Sequence, residues 1–356
     1  MKIPAANARA GIALIIVMIA VVSLTILAGG FAYSMKVETR LAMNANYDVQ
    51  MEWLGRSGVE KAKYVLGLQM GVPNEPYDAL NQIWAGGPGS AAVSNSPLAA
   101  ISLQGGEAEP FDLEIVDLER KININAATEP VLQAAFLGLG VDAGAHNALI
   151  GAIRDWIDAD DLEQPEGAES AYYETLDPPY FAKNGPLDDL SELLFIRGIT
   201  PELYFGLERE EQPAGRLGFG NRDQLGFQAP SAGVALTEVF TPLSAGRVNV
   251  NTAPAKVLQI LPFMDERIAA EIIRLRAGPD GADGTEDDIP FRNVGELVNA
   301  GIPPQIVQQI SPFLDVRSRT FEVRVTARIG NYTRKYYAVV GRRDPRNIET
   351  LVFRAE

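Results

Sequence analysis

Between Arg9 and Lys36 the chain carries no charged residue, and Gly11–Tyr33 reads GIALIIVMIAVVSLTILAGGFAY. A helix rises 1.5 Å per residue, so roughly 20 apolar residues cross the hydrocarbon of a bilayer. This run is long enough. A secretory signal has a shorter apolar region, about 7–15 residues, ending at a small-residue cleavage site. Here the run is longer, and the residues after it read as more helix. Lys2 and Arg9 precede it, while Lys36, Glu38 and Arg40 follow. The positive-inside tendency keeps the short leader cytoplasmic and sends the long remainder across the membrane.

Past the apolar run, Val37, Leu41, Met51, Leu54, Gly58, Ala62, Val65 and Leu66 fall largely on i, i+3, i+4 spacings, with charged residues between them. No proline interrupts residues 5–72. One rod is predicted, apolar all round in its first half and amphipathic in its second, with Gly29-Gly30 as a soft point.

The rest of the composition narrows the chemistry. The 356 residues carry 31 Lys and Arg against 46 Asp and Glu, a net charge of −15, which argues against a bulk grip on phosphate backbones. There is no cysteine, so disulfides, thiol nucleophiles and cysteine metal sites are excluded. His146 is the only histidine, and no multi-histidine centre can form. No substrate pocket or paired acid–base signature is legible, and catalysis is not expected.

Alternation marks strands. Pro110–Ile124 alternates apolar and polar residues, Phe321–Ile329 and Tyr332–Val340 flank a Gly330-Asn331 turn, and Thr350–Phe353 reads as a last short strand. One strand before residue 125 and three after residue 319 imply a small sheet with a large insertion. Residues 71–110 are rich in Gly, Pro, Ser and Ala and read as loop.

Within the insertion, Ile122-Asn-Ile-Asn-Ala-Ala-Thr-Glu-Pro-Val-Leu-Gln133 is echoed by Val248-Asn-Val-Asn-Thr-Ala-Pro-Ala-Lys-Val-Leu-Gln259. Each copy leads into a second helical pattern, at Ala145–Trp156 and Glu266–Arg276, so paired helical units are predicted. Thr128 and Thr252 are expected to cap helices, with Pro130 and Pro254 in the first turns. Leu190–Leu207 and Val294–Ile310 add two helix–turn–helix signals. Residues 211–246 read as a Gly/Pro-rich linker.

A short basic leader, Gly11, an apolar run and an amphipathic helix together resemble type IV pilin-like proteins. In that family a prepilin peptidase cuts after the glycine and the new N-terminus is methylated, which here implies processing between Gly11 and Ile12. The family usually has a glutamate at the fifth position after the cut, where this chain has Ile16. The protein K family of minor pseudopilins in type II secretion systems lacks that glutamate and starts as Gly11-Ile12-Ala13-Leu14 does here. Its layout of a pilin-like core with a helical insertion matches the order of signals along nearly the whole chain.

The resemblance implies an α+β protein in which a long transmembrane and amphipathic helix lies on a small antiparallel sheet. A large α-helical domain of SAM-like or helix-hairpin-helix units is inserted into that sheet. The implied segments are a leader (1–11), the helix (12–70), a pseudopilin core (71–122 and 317–356) and an insertion (123–316). Two related repeats (122–210 and 247–316) make up the insertion. It further implies a single-pass inner-membrane protein with its bulk in the periplasm. There it would cap the tip of a pseudopilus with other minor pseudopilins, above the major pseudopilin. The alternative is a membrane-anchored helix-hairpin-helix DNA receptor. Leu137-Gly-Leu-Gly-Val141 is a fair hairpin for that, but Leu261-Pro-Phe-Met264 is not, and the acidic surroundings disfavour nucleic acid.

Two acidic clusters are candidate metal sites, the alternative for the first being a solvated acidic loop at a helix end. In the first, carboxylates crowd residues 154–169 and repel one another unless a cation neutralises them; an irregular loop of oxygens suits calcium. The run resembles the segment with which the protein K family holds calcium. That likeness implies Asp158, Asp160, Asp161 and Glu169 as ligands, followed by Asp155 and Glu166. The second, Gly278–Ile289, resembles pseudopilin calcium loops through Asp280, Asp283, Asp287 and Asp288, and reads equally as an exposed turn.

Overall fold

The computed structural model describes residues 8–90, 93, 96–106, 110–206, 235–330 and 332–356. Most of the leader, Asn331 of the expected turn and most of the expected linker lie outside these described residues. The chain opens with one unbroken helix, α1 (Ala8–Gln69), so Gly29-Gly30 does not interrupt it. Its first half is long and apolar enough to cross a membrane, with a mean hydropathy of 2.7 in its most apolar window. The side chains from Leu14 to Tyr33 stand exposed along it, and the chain itself covers none of that window.

After a loop with short 3-10 turns come β1 (Phe111–Asp117) and β2 (Ile122–Asn123). The expected single strand over 110–124 is thus split, because residues 118–121 turn the chain out of the sheet. The following elements are α2 (Glu129–Gly138), α3 (His146–Ile157), α4 (Ser170–Tyr173) and α5 (Pro201–Phe205). Then come α6 (Leu236–Val239), β3 (Phe240–Thr241), β4 (Val248–Asn249), α7 (Ala255–Ile260), α8 (Glu266–Arg276), α9 (Pro304–Ile310) and β5 (Leu314–Asp315). The chain closes with β6 (Thr320–Ile329), β7 (Tyr332–Asp344) and β8 (Asn347–Ala355).

The main sheet has the order β1-β6-β7-β8 and is antiparallel throughout. Strands β1 and β6 are neighbours although about 200 residues separate them, so the insertion leaves and returns at one end of the same strand pair. Leu113, Ile115, Val323, Val325, Ala338 and Val340 line one face of this sheet, and the second half of α1 lies on them through Met51, Val59, Ala62, Val65 and Leu66. Close approach requires glycine on the helix: a Cβ at Gly55 would lie 2.6 Å from the Tyr336 ring, and one at Gly58 would lie 2.5 Å from Val325 Cγ1. Trp84 meets Phe321 edge-on at 5.2 Å beneath them.

A second core runs from Ile122 to Val316 and is built from the helices of the insertion. Here α2 packs on α3, α7 on α8, and α2 on α7, so the two copies face each other. Each copy is tied in by a two-residue parallel pairing, β2 with β3 and β4 with β5. Two capping expectations need correction. Thr128 occupies the N-cap of α2 but makes no side-chain cap bond. Thr252 is no cap at all: Pro254 stands at the N-cap of α7, and the Thr252 hydroxyl turns inward to donate to Asp117. The first halves of the Leu190 and Val294 units are 3-10 rather than α-helical.

Candidate metal centre

The first acidic cluster begins in the last turn of α3. Asp155 is fully buried there, and both its oxygens accept the Gln164 N–H, at 3.0 and 3.3 Å, folding the loop back on the helix end. Gly167 makes this fold-back possible, since a Cβ on it would lie 2.0 Å from Asp155 Oδ2. The carbonyl of Gly167 accepts from Arg197 Nη1 at 2.9 Å, and that guanidinium also lies over the Tyr172 ring. Glu169 then starts α4 at 3% exposure.

Glu169 is the unusual member. Neither of its carboxylate oxygens has a hydrogen-bond partner, although both are buried; the adjacent Ser170 N–H favours the anion slightly but lies outside bonding geometry. Burial, then Asp155, Asp158 and Asp161, push its carboxyl up to about 7. Burial also raises Asp155 and Asp158, the latter helped by Asp160. Asp158 Oδ1 is a further buried oxygen without a partner. Among the described residues none of Asp155, Asp158, Asp160, Asp161, Glu166 or Glu169 forms an ion pair. Asp155 and Glu169 are the buried members, Asp158 is half-buried and Asp161 exposed, and a buried anion without a counter-charge is costly unless protonated or bound to a cation.

Asp155, Asp158 and Asp161 are brought close enough to Glu169 to raise its proton affinity, and Asp158 raises that of Asp155. Asp160 is exposed and its Oδ1 caps the Leu162 N–H. Glu166 is exposed, at a left-handed φ of 63°. No three His, Asp or Glu side chains among the described residues already stand as a coordination sphere. The loop instead offers orphaned oxygens, a donor set that fits a hard cation once the carboxylates turn inward.

The second acidic cluster is internally satisfied. Buried Arg276 forms a two-pronged ion pair with Asp283, at 2.9 and 2.6 Å, and donates through Nη1 to the carbonyls of Val250 and Ala253. Asp287 accepts from the Asp280 N–H and the Thr285 hydroxyl, Asp288 accepts from Gly284 N–H, and Asp280 from Ala282 N–H. His146 is buried with Nε2 3.0 Å from the Val141 carbonyl oxygen, an arrangement that packs the α2–α3 turn.

Composition and spacing gave no sign of a third polar group, at the junction between the two cores. Asp117, at the end of β1, accepts from Ser318 Oγ at 2.7 Å, Asn249 Nδ2 at 3.2 Å and the Thr252 hydroxyl. Asp78 accepts the Ser318 N–H at 2.9 Å and pairs with buried Arg342 of β7. Glu119 accepts three backbone N–H groups, from Ala245, Arg319 and Thr320. Burial and the Asp117 charge nonetheless push Glu119 up to about 8. The second copy of the repeat was the sequence signal near this site, through Asn249 and through Thr252, which read there as a helix cap.

A helix of membrane-spanning length, packed by its second half on an antiparallel sheet that carries a helical insertion, defines a pilin-like α+β protein. The particular family that it resembles is protein K of the type II secretion system. That family, described as type II secretion system (T2SS), protein K, matches residues 111–209. A putative type II secretion system protein K of Escherichia coli K12 is 25% identical over 211 residues, covering 56% of this chain and 60% of the relative. Type II secretion system protein K of Aeromonas hydrophila is 26% identical over 220 residues, covering 56% and 62%. The match therefore spans only about 60% of the length of these relatives. The crystal structure of the GspK-GspI-GspJ complex from the type II secretion system of enterotoxigenic Escherichia coli contains a chain of similar fold. Its TM-score is 0.61 at 20% identity, covering 89% of this chain and 99% of that one.

Proposed function

We propose that this protein is a minor pseudopilin of a type II secretion system, held in the inner membrane by the first half of α1. The observation that carries the reading is the seating of α1 on the β1-β6-β7-β8 sheet while the insertion grows from one end of the β1–β6 pair. Such a subunit has a shaft that can stack with like helices and a bulky head that obstructs stacking beyond it. We therefore place it at the tip of a periplasmic pseudopilus, supporting export across the outer membrane. Its partners would be two other minor pseudopilins, by analogy with the GspK-GspI-GspJ complex that contains the chain of similar fold, with the major pseudopilin below. Processing by a prepilin peptidase between Gly11 and Ile12, with methylation of the new terminus, belongs to the same reading. Ile16 in place of a glutamate suits a topmost subunit, which has no N-terminus ahead of it to neutralise.

Calcium is the cation we propose for the first acidic loop. Asp158, Asp161 and Glu169 would hold it, with Asp155 shaping the loop and Asp160 and Glu166 at its rim. The support is the pair of orphaned Glu169 oxygens beside Asp158 Oδ1. The ion would lock the loop by neutralising its carboxylates. Asp280, Asp283, Asp287 and Asp288 are a weaker second site, since their oxygens already have partners.

The test is co-expression of the full-length chain with candidate minor pseudopilins, detergent extraction and affinity capture, with and without a calcium chelator. A stoichiometric complex supports the tip reading, and its loss on chelation supports the calcium site. Absence of any complex, with nanomolar duplex DNA binding by the same preparation, overturns the reading in favour of an anchored DNA receptor.

A further inference from the structure

Both copies in the insertion turn from their first helix to their second through a left-handed corner, and they build it differently. In the first copy the corner is Gly140, φ 71°, followed by buried Val141 and by Asp142, whose Oδ1 accepts the Gly144 N–H at 2.8 Å. In the second it is Phe263, φ 66°, followed by buried Met264 and by Asp265, whose Oδ1 accepts the Ile268 N–H at 2.7 Å. The Met264 N–H closes this turn on the Leu261 carbonyl at 3.1 Å, with Pro262 and Phe263 at its centre. Proline followed by a residue of positive φ is the pattern of a type II turn, whose second central position asks for glycine. A bulky aromatic there is an outlier. Its ring is 59% exposed, so packing within the chain does little to offset the strain. The first copy makes the same corner with glycine, so the ring is an addition that the fold itself does not require.

We infer that Phe263 anchors a docking surface on the insertion, where it enters an apolar pocket with a basic rim on a partner protein. Strained residues persist where binding or chemistry uses them. Aromatic side chains seated in pockets carry much of the energy of protein interfaces, and one held out on a tight turn has little freedom left to lose on binding. The rim follows from charge. Asp265 and Glu266 come next in the chain, are exposed, and form no ion pair among the described residues. Of residues 261–267 only Arg267 is basic. The same acids repel phosphate, which disfavours nucleic acid and anionic lipid as occupants. This inference goes beyond the secretion reading, since it concerns the surface of the insertion and not the stacking of α1.

The experiment uses the full chain in cells that lack their chromosomal copy, with a photoreactive benzophenone side chain introduced at Phe263 as the probe. Irradiation is expected to give one discrete protein adduct, and Glu266→Lys to lower its yield; an unchanged yield overturns the basic rim. Phe263→Gly and Phe263→Asn, both suited to positive φ, are compared with the wild type for export and, in detergent micelles, for thermal unfolding. Each should melt about 2–4 °C higher because the strain is gone. Each should reduce export on the order of 10-fold because the anchor is gone. A ring that merely packs gives the opposite sign, with both variants melting lower. That outcome overturns the docking surface, as do undiminished export, a lipid adduct or no adduct. The adduct and the melting temperatures do not draw on the secretion reading. A wild-type copy that fails to restore export therefore sinks that reading alone, and these two measurements still decide the docking surface.

Discussion

Asn125 and Asn251 perform the same act in the two halves of the insertion. Asn125 accepts the Leu187 N–H at 2.8 Å and returns Nδ2 to the Leu187 carbonyl at 3.0 Å. Asn251 does this to Phe291, at 2.8 and 2.9 Å. Each side chain thus imitates a strand neighbour, satisfying both backbone groups of one residue in a loop that has no sheet to join. The asparagine two places earlier, Asn123 or Asn249, accepts the N–H of Asn125 or Asn251 and fixes the turn. The Asn-x-Asn echo is the trace of this clamp.

Asn251 is the more buried of the two clamps, at 3% exposure, so Asn251→Ala leaves the Phe291 N–H and carbonyl unpaired in a dry place. Unsatisfied buried groups cost about 1–3 kcal/mol each. Urea unfolding of residues 34–356 should show a loss of about 2–4 kcal/mol for Asn251→Ala. Asn125→Ala, at a less buried site, should lose less. Equal and negligible losses would mean that the clamps are ornamental.

The glycines of α1 set how closely the helix lies on the sheet. Gly58→Ala places a methyl 2.5 Å from Val325 Cγ1, and overpacking of this kind costs about 1–3 kcal/mol. The second change Val325→Ala removes the obstruction. We expect the double variant to recover part of the thermal stability that Gly58→Ala loses, a coupling that independent sites would not show.

Glu119 gives the junction a pH signature. In the unfolded chain its carboxyl has its ordinary value near 4.5, and in the fold it is pushed up to about 8. The folded state therefore keeps a proton that the unfolded state gives up, and linkage makes this contribution full below pH 4.5. It declines as pH climbs and is gone once pH passes 8. Glu119→Gln removes the titration but keeps an acceptor for the backbone N–H groups. Wild type should lose stability relative to Glu119→Gln between pH 5 and pH 9 in urea unfolding. A constant difference across that range would show that Glu119 is ionised throughout.

What the sequence disclosed follows from periodicity. The apolar run of α1, the alternation of β6 and β7 and the apolar face of α8 (Ile268, Ala269, Ile272) are local patterns, and the folded chain reproduces them. The contacts that close the junction are not local: Asp117 meets Ser318 across 201 residues and Thr252 across 135. That is why Thr252 reads as a helix cap in the sequence and is a buried donor in the fold. Likewise the acids of residues 280–288 look alike until Arg276 is seen inserted between the carbonyls of Val250 and Ala253, where it holds Asp283. The first acidic loop was legible as a cluster, but nothing in its spacing showed that Asn184, outside it, donates its Nδ2 to Asp161.

Gly167 links the shape of that loop to its chemistry. A Cβ there would sit 2.0 Å from Asp155 Oδ2 and 3.1 Å from the Gln164 carbonyl oxygen, neither of them the end of a free side chain, because both belong to the fold-back. Gly167→Ala must therefore push Asp155 off the Gln164 N–H and move the chain that leads to Glu169. Asp155 is wholly buried and would lose its principal donor, so the variant should be less stable by about 1–3 kcal/mol without calcium. Since the same movement displaces Glu169, calcium should restore less stability to Gly167→Ala than to the wild type. Thermal unfolding of both in chelator and in millimolar calcium measures this directly. An identical calcium increment in the two proteins would mean that the fold-back and the cation site are independent, and Glu169 would then be positioned by α4 alone.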